Sequence, residues 1–204
     1  MLELYTAGTH NGIRANIALA ESGLGYKVHK LNLSAGDQRQ PGYQAVNPAG
    51  RIPALVDPQG PGGTTKLSQS GAIMMYVANK SGKMWPASDA GKIAALQWLM
   101  FSCTDVAPWS GVYNQALSMM PEKVEANIEF CKQRLVRWFG EANAQLGKTE
   151  YLAGDLSLAD FAMFPVVNQR KAIVEEADMK NLLRWWAQVS PRPGVQKGLA
   201  ESTS

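Results

Sequence analysis

The residues best suited to chemistry lie in two short stretches of the first half of the chain, residues 47–56 (NPAGRIPALV) and 66–73 (KLSQSGAI). Proline has no N–H to donate within a sheet, so Pro53, just before an apolar triplet, marks the start of a strand. The Ile52–Pro53 bond in such a tight turn is a candidate for the cis form. That geometry would leave the N–H and C=O of Ile52 free to pair with an extended peptide.

The second stretch places Gln69 and Ser70 at the start of a helix, with Ser70 predicted as its N-cap. A helix N-terminus offers unpaired N–H groups and a positive dipole end to a carboxylate. Ser70 would cap the helix with or without a ligand, whereas a cap does not require a Gln before it. Arg51 could pair with a ligand carboxylate, and Gln38 in a polar loop could hydrogen-bond one. Solvated side chains explain both residues equally well.

A third polar group, Thr9-His10-Asn11-Gly12, lies where the first predicted strand gives way to the first helix, a usual place for ligands in α/β sheets. A Thr hydroxyl or Asn amide there can donate to a bound sulfur, and the helix end favours thiolate over thiol. A free thiol has a pKa near 8.5, which leaves about 3% thiolate at pH 7. Lowering that pKa by two units needs about 2.7 kcal/mol, which one charge-assisted hydrogen bond and a helix end could supply.

The same residues have a simpler interpretation, because Thr and Asn are ordinary helix caps and an exposed His is often idle. His10 could instead act as a base. Taken with the two stretches above, the polar group nevertheless suggests a site for a small peptide-like thiol. Which of Thr9, His10 and Asn11 would activate the sulfur stays open.

Composition excludes several other classes of protein. The 204 residues are 46% hydrophobic and 18% charged, and the net charge of +3 is too small and too dispersed for nucleic-acid binding. The positive excess lies in residues 1–80, which carry seven Lys and Arg against four Asp and Glu. The N-terminus does not look like a signal peptide, no apolar run would span a membrane, and Cys103 and Cys131 have no metal-binding spacing. We expect a cytoplasmic protein without a bound metal.

The predicted elements that position these groups form an α/β domain over residues 1–81. Their order is βαβ followed by ββα, with strands at 2–5 and 26–33, another entered at Pro53, one at 65–68, and a helix from Ser70 to near Gly82. Parallel pairing of the first two strands follows from a right-handed crossover.

The predicted second domain, residues 87–204, contains only helical patterns. One apolar stripe runs through Ile93, Leu96, Leu99, Met100 and Cys103, and Pro108 should end or kink it. A long helix is predicted from Pro121 to Leu146, and another begins at Ser157 with Asp160 as its capping partner. Trp109 and Tyr113 could line an apolar pocket or belong to the core.

In this order, the chain resembles a cytosolic glutathione transferase over nearly its whole length. The motifs that carry the resemblance are LYTAGTHNG, NPAGRIPALVD, LSQSGAIMMYVA, YLAGDLSLADFAMFP and SPRPGVQKGL. The resemblance implies a thioredoxin-like domain followed by an all-helical domain, a homodimer, and glutathione as co-substrate. It also implies that Ile52 before the cis-proline pairs with the cysteinyl part of glutathione and that Gln69 and Ser70 bind its γ-glutamyl carboxylate. Gln38 and Arg51 are the matching positions for its glycine carboxylate.

The Thr9-x-Asn11-Gly12 pattern is most similar to that of the bacterial nu class, whose members reduce disulfides with glutathione. In that class the Thr and Asn hold the sulfur, which makes Asn11 and Thr9 the expected catalytic residues. That class usually has Glu where this chain has Gln69. The resemblance further suggests Asp105 as a residue reaching into a partner's site. From their residue types and positions, His10, Trp109 and Tyr113 are candidates for the second-substrate pocket.

Glutathione bound as thiolate would then attack an electrophilic carbon or the sulfur of a disulfide. Two other interpretations fit the sequence. One is a non-catalytic interaction module with the same fold, and the other is a lyase or thiolysis enzyme dedicated to one metabolite.

Overall fold

The structure, a computed structural model, describes residues 1–203. Contacts within the chain divide it into two compact units: Met1–Met84 together with the C-terminal segment from Pro191, and Trp85–Ser190. The boundary at Met84 falls in the segment where the sequence pattern changes to helices only. The predicted domain boundaries, 1–81 and 87–204, stay a prediction, and the C-terminal segment packs with the first unit.

The first unit is a four-stranded sheet with helices, as the thioredoxin-like prediction requires. Strand β1 lies at the centre, parallel to β2 and antiparallel to β3, and the sheet order is β2-β1-β3-β4. The parallel pair confirms the predicted crossover through α1. The elements are β1 (Leu2–Thr6), α1 (His10–Ser22), β2 (Tyr26–Lys30), a 3-10 turn (Asp37–Arg39), α2 (Pro41–Gln44), β3 (Ala54–Gly60), β4 (Gly63–Ser68), α3 (Ser70–Ser81) and, after the second unit, α10 (Pro193–Thr203).

Helix α10 packs against α1, and polar contacts fix this pairing. Asn16 donates to the hydroxyl of Ser202 at 3.1 Å, and both side chains are buried. Arg192 forms a two-pronged ion pair with Glu21, with N···O distances of 3.0 and 2.7 Å. Paired arginine and carboxylate forks are among the stronger polar contacts. The C-terminal helix therefore stabilises the helix whose N-terminus carries Thr9 and Asn11.

A buried carboxylate ties β3 to α3. Asp57 on β3 accepts hydrogen bonds from the Tyr76 hydroxyl at 2.6 Å and from the Lys80 ammonium at 2.8 Å. Burial alone would raise the pKa of Asp57, but these partners and the N–H of Gln59 bring it down to about 2. Burial and the bond to Asp57 raise the pKa of Tyr76 to about 12. The C-terminal half of α3 is thus anchored to the strand that follows Pro53.

The second unit is helical. It consists of α4 (Asp89–Phe101), α5 (Ala107–Ser118), α6 (Glu125–Leu146), α7 (Leu158–Gln169), α8 (Lys171–Glu176) and α9 (Lys180–Val189). A π-helical turn at Ser102–Val106 separates α4 from α5, and Pro108 lies in the first turn of α5. The predicted end of the helix before Pro108 is therefore confirmed, since α4 ends at Phe101. The prediction that α6 begins at Pro121 is wrong: Pro121 precedes the helix, whose N-cap is Val124.

The predicted capping pair at the start of α7 is confirmed. Asp160 accepts from the N–H of Ser157 at 2.9 Å, from the N–H of Leu152 at 3.1 Å and from the Trp185 indole at 2.8 Å. Ser157 and Asp160 form a reciprocal capping box. Burial raises the pKa of Asp160 against the pull of these hydrogen bonds.

The apolar stripe predicted on α4 is divided between core and surface. Leu99 is fully buried, but Ile93 is 70% exposed and Leu96 and Met100 are each 39% exposed. Sequence spacing places these residues near one face of α4 but does not say what covers that face. None of the helices within residues 1–203 combines the length and apolarity of a membrane span.

Candidate active site

The N-terminus of α1 presents Thr9 and Asn11 at the carboxyl end of β1. Thr9 is the N-cap, and its Oγ1 accepts a hydrogen bond from the N–H of Gly12 at 3.2 Å. A hydroxyl that accepts in this way keeps its own hydrogen available to donate. The cap role and the predicted thiol-binding role of Thr9 are therefore compatible.

Gly12 lets the chain close tightly around this turn. A Cβ atom at Gly12 would lie 2.2 Å from the carbonyl O of Ala7 and 2.4 Å from Oγ1 of Thr6. These distances are too short for any side chain, so glycine is required by close backbone approach. The packing fixes the direction in which the first N–H groups of α1 point.

The prediction that Ser70 is the N-cap of α3 is wrong by one residue. Gln69 is the N-cap, with φ 73° and ψ 115°, and Ser70 is the first helical residue. A positive φ is uncommon for a residue with a side chain and costs free energy, and such residues cluster at ligand sites. Ser70 is buried, with 8% of its surface exposed.

Because Ser70 is not the cap, its hydroxyl is directed to another element. It donates to Oδ1 of Asn11 at 3.4 Å, joining residues 59 apart in sequence. With Oδ1 engaged, the amide nitrogen of Asn11 keeps its two hydrogens available. The contact therefore brings together the two groups that the sequence assigned separately to the thiol and to the γ-glutamyl carboxylate.

The loop before β3 is fixed from behind by two side chains. The Ile52–Pro53 bond is cis, as expected. The carbonyl O of Arg51 accepts from the hydroxyl of Tyr43 and from Nδ2 of Asn47, both at 2.6 Å. Oδ1 of Asn47 in turn accepts from the N–H of Ala49 at 3.2 Å. Within residues 1–203, no hydrogen bond is formed by the main chain of half-buried Ile52, which suits pairing with an extended ligand.

Gln38 lies against this loop, and the Arg51 side chain is exposed beside it. A Cβ atom at Gly50 would lie 2.9 Å from the carbonyl O of Gln38, which shows how closely the two segments approach. The Gln38 amide donates to the carbonyl O of Leu33 at 3.3 Å, while its Oε1 is buried without a partner. The unpartnered atom is an acceptor, so it suits a ligand N–H better than the predicted carboxylate.

Tyr5 is engaged by Glu3 and His29. Its ring stacks on that of His29, with centroids 4.5 Å apart, and its hydroxyl donates to Glu3 at 3.4 Å. Glu3 also pairs with Nε2 of His29 at 2.9 Å. Burial and the neighbouring Glu3 raise the pKa of Tyr5. A phenol of this kind is poorly suited to holding a thiolate, and the assignment of that role to Thr9 and Asn11 stays a prediction.

The other predicted site residues fall in different places. His10 is the first residue of α1 and is half-buried. Asp105 lies in the π-helical turn and accepts from the Thr104 hydroxyl at 2.7 Å. Trp109 and Tyr113 lie one turn apart on α5. Among residues 1–203, no contact between their two rings is found. Trp109 packs on Phe130 at 5.8 Å between ring centroids.

Sequence reasoning missed three residues of interest. Asn47 begins the quoted NPAGRIP motif, so its turn chemistry could have been recognised there. Tyr43 carried no local signal, because its partner is eight residues away across a loop. Arg170 stood in no motif, yet its guanidinium lies 5.0 Å from the centre of the Tyr113 ring.

Comparison with known proteins matches both halves of the chain. Residues 1–79 match the family "Glutathione S-transferase, N-terminal domain", and residues 110–202 match "Glutathione S-transferase, C-terminal domain". The disulfide-bond oxidoreductase YfcG of Escherichia coli (strain K12) is 30% identical over 99% of this chain and 96% of its own length.

Two solved structures are similarly close. One is a glutathione transferase family member from Pseudomonas fluorescens with two glutathione bound, with a TM-score of 0.90 and 30% identity over 97% of this chain and 92% of that one. The other is a glutathione transferase from Pseudomonas putida with one glutathione disulfide bound per subunit, with a TM-score of 0.88 and 31% identity over 97% and 90%. Near-complete coverage at these identities, together with the two domain matches, means that this chain belongs to the glutathione S-transferase family.

Proposed function

We propose that the protein is a glutathione-dependent enzyme that reduces disulfides and also transfers glutathione to electrophilic carbon. The observation that carries the proposal is the contact of Ser70 with Asn11, because it unites a carboxylate-binding helix end with a thiol-directed amide. The cis bond before β3 supports it, since within residues 1–203 the main chain of Ile52 forms no hydrogen bond and can pair with an extended ligand.

In this proposal each part of glutathione has its own partner. The γ-glutamyl carboxylate binds at Gln69 and the N-terminus of α3, where N–H groups and the helix dipole favour an anion. The cysteinyl part pairs with the main chain of Ile52 beside Pro53, and Arg51 and Gln38 bind the glycine end. The sulfur receives hydrogen bonds from Nδ2 of Asn11 and the hydroxyl of Thr9.

The activation is electrostatic, and the nucleophile is glutathione itself. Donors fixed before the reaction stabilise the thiolate without reorganising at the moment of attack. The thiolate attacks one sulfur of a disulfide, forming a mixed disulfide and releasing the other sulfur as a thiolate that takes up a proton. A second glutathione thiolate then attacks the glutathione sulfur of the mixed disulfide, giving glutathione disulfide and the second free thiol. The two electrons come from two glutathione molecules, so the step balances without another reductant.

Disulfide reduction is favoured over transfer by what two similar structures contain. One of those proteins holds two glutathione molecules, and the other holds glutathione disulfide. Two reduced glutathione molecules are what this reaction consumes, and one glutathione disulfide is what it releases. The curated relative described above is itself named as a disulfide-bond oxidoreductase.

The assembly belongs to the same proposal. Ile93, Leu96 and Met100 form an exposed apolar group on α4. Exposed apolar side chains grouped in this way are typical of protein interfaces. We assign this face to a homodimer contact, with Asp105 reaching the partner's site, and place the enzyme in the cytoplasm, where glutathione is reduced.

The test is retention on immobilised glutathione followed by a coupled assay of glutathione disulfide formation. We expect wild-type protein to be retained and to reduce a small neutral disulfide faster than it conjugates a model electrophile. Ser70→Ala should lose retention, while Ser118→Ala, an exposed serine on α5, should not. Wild-type protein that neither binds glutathione nor turns over either substrate would identify a non-catalytic module instead.

A further inference from the structure

The carbonyl O of Arg51 accepts two short hydrogen bonds from donors that the first unit holds in place. One comes from the hydroxyl of Tyr43 in α2 and the other from Nδ2 of Asn47, each at 2.6 Å. The Tyr43 side chain is buried. Lys66 on β4 donates to the carbonyl O of Ala45 at 2.7 Å and so holds the C-terminal end of α2. The two donors are therefore fixed against this carbonyl before any ligand binds.

The hydroxyl of Tyr43 remains protonated at neutral pH. Burial raises the pKa of Tyr43 above an ordinary 10.0, although the neighbouring Asn47 side chain partly lowers it. A main-chain carbonyl has no hydrogen to give, so Tyr43 is the donor in its contact with Arg51. The contact is therefore present at any pH where the thiolate of glutathione would form.

The peptide group that carries this carbonyl also carries the N–H of Ile52. The Arg51–Ile52 bond is trans, and a planar trans peptide directs its C=O and its N–H to opposite sides. Holding the carbonyl of Arg51 therefore fixes the direction of the Ile52 N–H. Within residues 1–203 that N–H forms no hydrogen bond, whereas nearly all buried main-chain N–H groups in folded proteins are paired. A carbonyl that accepts two bonds also polarises the peptide group, which strengthens the N–H as a donor.

We propose that Tyr43 is a positioning residue for glutathione, because through the carbonyl of Arg51 it directs the Ile52 N–H at the cysteinyl main chain. The inference rests on the proposed glutathione binding and adds a residue that acts on the ligand only through another. A contact that merely fixed the loop would not need two donors on the one carbonyl opposite an unpaired N–H. The effect of Tyr43 is on the peptide main chain, separate from the thiol activation assigned to Asn11 and Thr9.

The first test is Tyr43→Phe, which removes the hydroxyl and keeps the ring. We expect calorimetry to show the Kd for glutathione raised about three- to tenfold, as the loss of one hydrogen bond implies. The Kd for γ-glutamyl-2-aminobutyryl-glycine, which has the main chain of glutathione and no sulfur, should rise by the same factor. The pKa of the bound glutathione thiol should stay unchanged. No rise in either Kd, a rise for glutathione alone, or a shifted thiol pKa would overturn the inference.

A second readout follows the Ile52 amide in the ligand-free protein. Because a hydrogen bond to the Arg51 carbonyl polarises the shared peptide group, Tyr43→Phe should move the Ile52 amide nitrogen to lower frequency in heteronuclear NMR spectra. Asn47→Asp keeps an acceptor for the N–H of Ala49 and removes the donor to Arg51. It should move the same resonance in the same direction and raise both Kd values. An Ile52 resonance that neither variant moves would reject the role of Tyr43.

The matched control is Tyr26→Phe. The hydroxyl of Tyr26 on β2 donates to Glu201 on α10 at 2.7 Å, so this change also removes one short tyrosine hydrogen bond from the first unit. It should lower the thermal unfolding temperature as Tyr43→Phe does, yet leave both Kd values and the Ile52 resonance at their wild-type values. Equal rises in Kd for the two substitutions would assign the loss to general destabilisation and overturn the inference.

Failure of the proposed function would look different. Wild-type protein would then bind neither glutathione nor its sulfur-free analogue, which rejects any role of Tyr43 in binding them. The ligand-free spectra would still decide whether Tyr43 orients the Ile52 N–H. A resonance displaced in Tyr43→Phe and unmoved in Tyr26→Phe supports that orientation, and one that is the same in all three proteins rejects it.

Discussion

The hydroxyl of Ser70 donates to Oδ1 of Asn11 at 3.4 Å, linking the first turns of α3 and α1. This contact orients the Asn11 side chain, because an amide that accepts through Oδ1 directs Nδ2 to the opposite side. It also means that two helix N-termini, each with a positive dipole end, meet at one point. A bound thiolate and a bound carboxylate would each gain from one of these ends.

Replacing Asn11 by Ala should raise the pKa of the bound glutathione thiol by about one to two units, since one charge-assisted hydrogen bond contributes on the order of 1.5–3 kcal/mol. The measurement is an ultraviolet titration of thiolate absorbance in the enzyme–glutathione complex. Thr9→Ser keeps both the cap and the hydroxyl and should leave the titration nearly unchanged. An Asn11→Ala curve that overlies wild type would move the activating role to Thr9 or His10.

Replacing Gly12 by Ala should destabilise the protein by about 3 kcal/mol or more, because the new Cβ meets main-chain atoms that cannot move away. The measurement is urea unfolding. Gly140→Ala on α6 is the matched control, since nothing lies within 4 Å of its added Cβ. That change should stabilise the helix by about 0.5–1 kcal/mol. Similar effects for both substitutions would contradict the close approach at Gly12.

Much of the architecture could be predicted from the sequence because local patterns determine it. The pattern 52–56 predicted the start of β3 and made the Ile52–Pro53 bond a candidate for the cis form, which the family resemblance then implied. The spacing of Ser157 and Asp160 predicted the capping box. The position of Ser70 could not be fixed to one residue, since Ser is favourable both as an N-cap and within the first turn. Gln69 takes the cap with a positive φ that no propensity favours.

Long-range contacts account for most of what the sequence could not predict. Asn16 and Ser202 are 186 residues apart, so the local spacing of apolar residues cannot predict that α10 packs on α1. Likewise the spacing of Ile93, Leu96 and Leu99 is the same whether their face of α4 meets the core, a partner or water. At the candidate site, Asn11 and Ser70 could be proposed separately, but their contact depends on how α1 and α3 pack.

Because of Asp57, the free energy of unfolding should decrease as the pH falls below about 4. Its pKa falls from an ordinary 3.8 to about 2 in the folded state, so the unfolded chain binds its proton first. The contribution, about 2 kcal/mol, is complete above pH 3.8 and is lost as pH falls through 2. Asp57→Asn should therefore be less stable than wild type by about 2 kcal/mol at pH 7, and by roughly half that at pH 3. Urea unfolding at both pH values measures the difference, and a gap that does not narrow would contradict it.

Asp160 should be more important for stability than an exposed acid nearby. Its carboxylate accepts from two main-chain N–H groups and the Trp185 indole, so Asp160→Ala leaves three buried donors without an acceptor. We expect a loss of about 3 kcal/mol or more in the free energy of unfolding. Asp155→Asn, an exposed acid five residues earlier, should change it by less than about 0.5 kcal/mol. Comparable losses at the two positions would mean that the buried hydrogen bonds of Asp160 are not the source of its stabilising effect.

The exposed apolar group on α4 should determine the assembly. Replacing Ile93 by Glu places a charge within an apolar contact that a homodimer would bury, and an unpaired buried charge is strongly unfavourable. We expect Ile93→Glu to shift the protein from dimer to monomer in sedimentation velocity, with the thermal unfolding of the chain otherwise retained. Met119→Glu is the control: Met119 is also 70% exposed, but it follows the end of α5, outside the group on α4. A wild-type protein that sediments as a monomer, or a dimer that tolerates Ile93→Glu, would show that another surface, or none, joins two copies.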